Sequence, residues 1–281
     1  MLLHRYFGSH AFETLKEAKL KTTRITSFND PFEFLFVVEG KLNVKAAREY
    51  VISRRNDPEF LQIVAHNFPE LRMSKDPRKY FEQITPLIIA NLVKHSDDIV
   101  QLPFKMREEM ADGSTRIVCF SNSTINPQDE ILLWSHYANM HRGVRVGFEF
   151  PTDIKFPFKI IKVDYREKRM VIDVSRGLAE QTLGDAIVES AQIKSIAWKY
   201  EDEYRLMTHP DFCEHRTMPD SKQECFLDFK REWVKSIDFG VRCQQPEIEL
   251  MLKLLNNDYP KVDKRRAFFH KTEYALAYEV I

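Results

Sequence analysis

The sequence predicts an α+β fold, a single domain over residues 1–281 with a helical insertion at residues 43–110. Three observations predict it. Strand-like and helix-like segments mix without a regular βαβ rhythm. Apolar residues recur three to four apart between Tyr80 and Val93, while short β-branched and aromatic runs dominate elsewhere. With 43% hydrophobic and 12% aromatic residues, 21 of them Phe, the 281-residue chain can build a large core and is not a disordered tail.

Taken in order, Leu2 to Tyr6 reads as a short strand, and Ser9 as the cap of a helix through Phe12, Leu15 and Ala18. Lys21 to Thr26 is rich in β-branched residues and predicts a second strand. The polar turn Phe28-Asn29-Asp30-Pro31-Phe32-Glu33 follows, its proline forcing Asp30 toward an extended backbone. An Asx turn accounts for Asn29, Asp30 and Pro31; Phe28, Phe32 and Glu33 flank it as if pinning a buried loop. In the insertion, Asp57-Pro58 and Asp76-Pro77 each put a capping carboxylate before a proline at the first helical position. The β pattern resumes at Thr115 to Ser121. Asn126-Pro127 opens a helix carrying Leu133, Trp134, His136 and Tyr137, and Gly143 to Phe150 returns as a strand. Further strands are expected at Phe158–Val163, Tyr204–Met207, Phe226–Phe229, Trp233–Phe239, Arg266–Phe269 and Ala275–Val280, and helices at Leu178–Lys194 and Glu247–Asn256.

Composition excludes several function classes. The 42 basic and 42 acidic side chains cancel, so no global field draws the chain to nucleic acid or an anionic membrane. The longest apolar run, Thr85 to Val93, is roughly half of the ~20 residues that span a bilayer. The opening residues build no secretory signal, and Cys119, Cys213, Cys225 and Cys243 form no C-x-x-C pair, so a reducing cytoplasm without disulfides is expected. Only 8 glycines are present, and neither a P-loop nor a G-x-G-x-x-G occurs. H-E-x-x-H, G-x-S-x-G and the zinc-deaminase signature are absent too.

Four places concentrate polar and aromatic residues. His4-Arg5-Tyr6 opens the chain, with His4 and Tyr6 on one strand face and Arg5 on the other. The turn around Asn29 and Asp30 is the second. The third couples Cys119-Phe120-Ser121 to a helix on which Trp134, Tyr137 and His141 share a face if it extends that far, with His136 to one side. The fourth is Trp198 to Arg205; on a strand, Glu201, Glu203 and Arg205 point the same way. Such a row is either an exposed face with a weak ion pair or the wall of a polar cleft. His209, Cys213, His215 and Cys225 match no common zinc spacing, so no metal is expected there.

In this order the motifs H-R-Y, F-N-D-P-F-E, C-F-S, L-W-S-H-Y-A-N-M-H-R-G-V-R-V-G-F and W-K-Y-E-D-E-Y-R form a series that resembles the bacterial domain-of-unknown-function family DUF2971. The layout also resembles, remotely, the ADP-ribosyltransferases, which implies a split mixed or antiparallel sheet core. Carried over, the first-strand position falls on His4 or Arg5, the middle-strand position on Ser121, and the late Glu-x-Glu on Glu201 and Glu203. No Ser-Thr-Ser follows Phe120.

The resemblance implies NAD as substrate, with Glu203 stabilising the charge that develops when the nicotinamide–ribose bond breaks and Glu201 serving the acceptor. It implies Arg5 or Arg205 on pyrophosphate, His4 and Ser121 on the ribose, and Tyr6, Trp134 or Tyr137 stacking on a ring. Asn29, Asp30 and His136 complete the expected cofactor-binding set. The acceptor is a protein, a nucleic acid or water. The setting the resemblance implies is a bacterial toxin or phage-defence effector, which leaves room for a partner protein that restrains it. Two other readings stay open: a metal-dependent nuclease-like effector using Glu201, Glu203 and the acids of the turn, and a non-catalytic module binding a nucleotide or a protein.

Overall fold

The computed structural model describes residues 1–96, 115–151, 158–176 and 189–281. These fall into two units. One takes the described residues up to Pro31, those between 115 and 167, and those from Lys194 onward; the other takes the remainder.

The first unit is built on strands β1 (Leu2–Phe7), β4 (Arg116–Asn122), β5 (Val144–Glu149), β6 (Lys159–Lys162), β10 (Glu203–Thr208), β13 (Val234–Phe239), β14 (Asp263–Phe269) and β15 (Leu276–Val280). They form one sheet in the order β15-β14-β13-β5-β1-β4-β10-β6. Only β13 and β14 run parallel in it, so the sheet is mixed, and with the helices the class is the α+β that the sequence predicts. A smaller sheet joins β2 (Lys19–Lys21), β12 (Gln223–Asp228) and β11 (Glu214–Thr217). Helices α1 (Ala11–Glu17), α6 (Pro127–Tyr137) and α7 (Gln245–Asp258) complete the unit.

Strand alternation divides the large sheet's faces. Leu3, Phe7, Val118, Phe120, Val146, Phe148, Leu206 and Ile237 pack on one face against Leu15 of α1 and Ile248, Met251 and Leu255 of α7. On the other face Tyr6 meets Leu133 and Trp134 of α6. Close approaches explain two glycines: a Cβ on Gly143 would lie 1.9 Å from the Phe7 carbonyl oxygen, and one on Gly240 2.2 Å from that of His141.

The strand β1 is laddered to β5 over its whole length, Leu2↔Glu149 to Phe7↔Val144. With β4 it shares only Leu3↔Asn122 and His4↔Ser121. Beyond His4 the ladder between β1 and β4 stops, and the gap is spanned by Arg5, whose Nη1 donates to the Cys119 carbonyl at 3.2 Å.

The second unit holds helices α2 (Val44–Ser53), α3 (Pro58–Asn67), α4 (Glu70–Met73) and α5 (Pro77–Lys94), with the parallel strands β3 (Val37–Glu39) and β8 (Val171–Asp173). Asp57 and Asp76 accept from the amides of Phe60 and Lys79, so both Asp-Pro caps form as the sequence predicts. No helix among the described residues is long and apolar enough to cross a membrane.

Several expectations are corrected. Ser9 does not cap α1, whose N-cap is His10 without a side-chain hydrogen bond. The expected strand at Lys21–Thr26 becomes the end of β2, an isolated bridge Thr23↔Ile117 and a 3-10 turn Ile25–Ser27. Phe32 is exposed, while Glu33 is buried. The helix bearing Trp134 ends at Tyr137, because Asn139, Met140 and His141 all take positive φ. Glu201 is not on a strand: Ile196–Glu201 is a 3-10 helix, Asp202 is left-handed (φ 38°), and β10 begins only at Glu203. The helix expected at Leu178–Lys194 lies outside the described residues except at its end, where Lys194 stands in strand β9 (Ile193–Ser195).

Candidate functional site

The register aligns three residues the sequence had picked out separately. His4 faces Ser121 across β1/β4, and Ser121 faces Glu203 across β4/β10, so the three side chains lie in one row on one face of the sheet. Gly147 continues the row beyond His4. A Cβ there would sit 2.4 Å from Ser236 Oγ and 3.5 Å from His4 Cδ2, so glycine keeps space beside the imidazole.

Where β1 and β4 part, a cavity of about 300 Å³ opens. It is lined by His4, Arg5, Tyr6, Ser121, Glu201 and Glu203, with Asn29 and Tyr137 among the other sequence candidates present. Three further candidates stand behind this lining. Arg205 is wholly buried and grips Glu203 through Nε–Oε1 (2.8 Å) and Nη2–Oε2 (3.3 Å), its guanidinium over the Phe28 ring. Trp134 is buried edge-on to Tyr6, and its Nε1 donates to the Tyr278 hydroxyl at 3.1 Å. Asp30 is buried without lining the cavity. His136 is exposed, 3.1 Å from the Tyr200 hydroxyl.

The sequence reading missed Lys194. Its Nζ donates to Glu201 Oε2 at 2.6 Å and to Glu203 Oε2 at 2.8 Å, and all three side chains are buried. Tyr137 donates to the other Glu201 oxygen at 2.6 Å, and the Tyr165 hydroxyl accepts from the Glu203 amide at 2.8 Å. Lys194 carried no sequence signal, since the sequence reading puts it at the end of a helix, Leu178–Lys194, where a last-turn lysine is ordinary.

The two carboxylates are driven apart. Burial works against the Glu203 charge, but Arg205 and Lys194 more than offset it and hold the group at about 2. Glu201 is pushed upward, chiefly by burial, with Glu203 beside it adding to the rise and Lys194 opposing it. One acid is thus a fixed anion and its neighbour a group ready to take a proton, the division of labour that acid–base chemistry uses. Burial raises the Cys119 thiol well above its ordinary value, so it is no thiolate nucleophile.

Three polar groups wait on the cavity. His4 Nδ1 and the Tyr6 hydroxyl are buried without a hydrogen-bond partner among the described residues. Half-buried Arg5 gives hydrogen bonds to the carbonyls of Cys119 and Lys21 and meets no carboxylate among the described residues. Unsatisfied buried donors and a guanidinium without a counter-ion are the groups a polar, anionic ligand would satisfy.

Burial, then the neighbouring Arg145, lowers His4 to about 3. Arg145 itself is fixed by Glu130 and Asp238. The unfolded chain binds a proton on this histidine below about 6.5 and the folded one does not, so this contribution to stability is lost as pH falls from about 6.5 toward 3. The His4 ring signals in an NMR titration will therefore stay those of neutral imidazole between pH 5 and 8, and a midpoint near 6.5 would refute this placement.

Residues 133–206 match the family model for a protein of unknown function, DUF2971. The DUF2971 segment runs from the last turn of α6 into β10 and so contains Tyr137, Lys194, Glu201, Glu203 and Arg205. It excludes β1 and Ser121, which also line the cavity. No curated protein and no solved structure matches the chain. Among the described residues no group of three or more His, Cys, Asp or Glu is arranged to hold a metal ion.

Proposed function

We propose that the chain cleaves the nicotinamide–ribose bond of NAD and passes ADP-ribose to a macromolecule or to water. The observation that carries this reading is the row His4–Ser121–Glu203 across three adjacent strands at the mouth of the β1/β4 gap. Its residue types and strand sequence are those the ADP-ribosyltransferase resemblance implies.

The chemistry follows from the charges. Departure of neutral nicotinamide leaves an oxocarbenium-like ribose, and the permanently ionised Glu203 supplies the opposing charge. His4, neutral at working pH, and Ser121 hydrogen-bond the ribose, while Arg5 meets the pyrophosphate. That phosphate role goes to Arg5 because Arg205 is committed to Glu203. Tyr137 or Tyr6 offers a ring face. The acceptor hydroxyl attacks the ribose carbon, and its proton passes to Glu201, whose raised affinity suits a general base.

Lys194 weighs against the nuclease-like reading. Its ammonium already sits between Glu201 and Glu203, where a divalent ion would need those oxygens. The test is nicotinamide release from NAD by the purified protein, with and without cell extract and chelator. Release that survives the chelator is expected. NAD left intact under every condition overturns the reading, and chelator-sensitive cleavage of added nucleic acid would replace it with the nuclease.

A further inference from the structure

The second unit carries a cavity of its own. It encloses about 730 Å³ among α2, α3, α4 and α5. That volume suits a small organic ligand. Its floor is apolar, with Val51, Leu71 and Phe81 buried in it and the exposed Ile52 on its wall.

Four arginines also line it: Arg48 on α2, Arg55 just after it, Arg72 on α4 and Arg78 on α5. Among the described residues none of the four guanidinium groups has an ion pair or a hydrogen bond, although the side chain of Arg54, the residue before Arg55, is paired with Asp57. Glu82 is the one acid in the described lining, so three positive charges stand in excess in a chain whose formal net charge is zero.

A guanidinium fork matches phosphate oxygens in a bidentate fashion, and several converging from different helices match a ligand with more than one phosphate. The apolar floor requires that the same ligand bring a ring or hydrocarbon body. We infer that this cavity binds a small organic diphosphate, with its phosphates on the arginines and its apolar body against Phe81 and Ile52. The site is independent of the NAD reading, since every residue it uses lies in the second unit.

The test follows the fluorescence of mant-ADP added to the full chain, with ADP, geranyl diphosphate and inorganic pyrophosphate as competitors. Saturable binding is expected, displaced by ADP or geranyl diphosphate at least tenfold more effectively than by pyrophosphate. Which of the two wins assigns the body as nucleoside or hydrocarbon. The paired substitutions Arg55→Ala and Arg78→Ala should weaken the affinity tenfold or more, and Ile52→Glu should do the same through the apolar wall. All three positions are exposed, so circular dichroism melts should stay near that of the wild type. Arg242→Ala, at an exposed arginine of the first unit that lines neither cavity, should leave the affinity unchanged. Absent saturation, equal displacement by pyrophosphate, or an affinity unchanged in the Arg55/Arg78 variant would each overturn the proposal.

Discussion

Glu203→Gln will lower nicotinamide release by at least about a hundredfold, the scale on which a preorganised charge acts at a reacting centre. The side chain keeps its shape and loses only the anion that Arg205 and Lys194 hold ionised. The same change carries a stability cost. Arg205 and Lys194 are both buried, and removing their shared carboxylate leaves buried cations short of a partner, worth about 3–5 kcal/mol. A second variant separates the two effects. Adding Lys194→Met to Glu203→Gln removes one cation along with the anion, so the double variant should unfold at higher urea than the single one while releasing no more nicotinamide. Wild-type rates in a folded Glu203→Gln protein would end the NAD reading, because Glu203 is the anion which that reading sets against the developing ribose charge.

The elements that carry the site were legible where a strand is regular. Alternation and flanking aromatics mark the segments around His4, Ser121 and Glu203, but the choice between His4 and Arg5 stays open in the sequence, because one residue of register error exchanges them, and Ser121 and Glu203 take their roles from the resemblance. Their alignment was not legible, since sequence carries no pairing register between strands this far apart in the chain. The same alternation failed one residue before β10. Reading Trp198 to Arg205 as one strand gave Glu201 and Glu203 a common direction, and the left-handed Asp202 breaks that strand. The two carboxylates meet anyway, through Lys194 rather than through the pleat. The sequence leaves open whether the helix bearing Trp134 reaches His141 for a similar reason: it ends at Tyr137, and the three successive positive-φ residues without glycine that follow are a tertiary outcome that local propensity disfavours. His141 still reaches Trp134, stacked at 6.3 Å, by folding back rather than by helical spacing.

Lys194→Met tests the electrostatic core of the site from the other side. In the wild type, Glu203 sits at about 2, below the usual carboxylate value near 4.5, so it contributes stability above pH 4.5 that is lost as pH falls toward 2. By linkage that contribution is of the order of 3 kcal/mol. Glu201 has the opposite sign: its affinity is raised, so its share is present below pH 4.5 and fades as pH rises through its folded value. Lys194 lowers both groups. Without it, Glu203 keeps only Arg205 and the neighbouring buried Glu201 loses its cation, so the pair will retain a proton to higher pH. The variant should therefore be several kcal/mol less stable than the wild type at pH 7, by urea denaturation, and that gap should narrow as pH falls to 4. In the nicotinamide assay the rising limb of its pH profile should move upward, because Glu201 must lose a proton before it can accept one from the acceptor. Lys194→Arg, which keeps the charge, should restore most of the pH 7 stability and return the limb toward its original position. A stability loss equal at pH 4 and pH 7, with the pH profile unmoved, would reduce Lys194 to a packing residue and leave the low value of Glu203 to Arg205 alone.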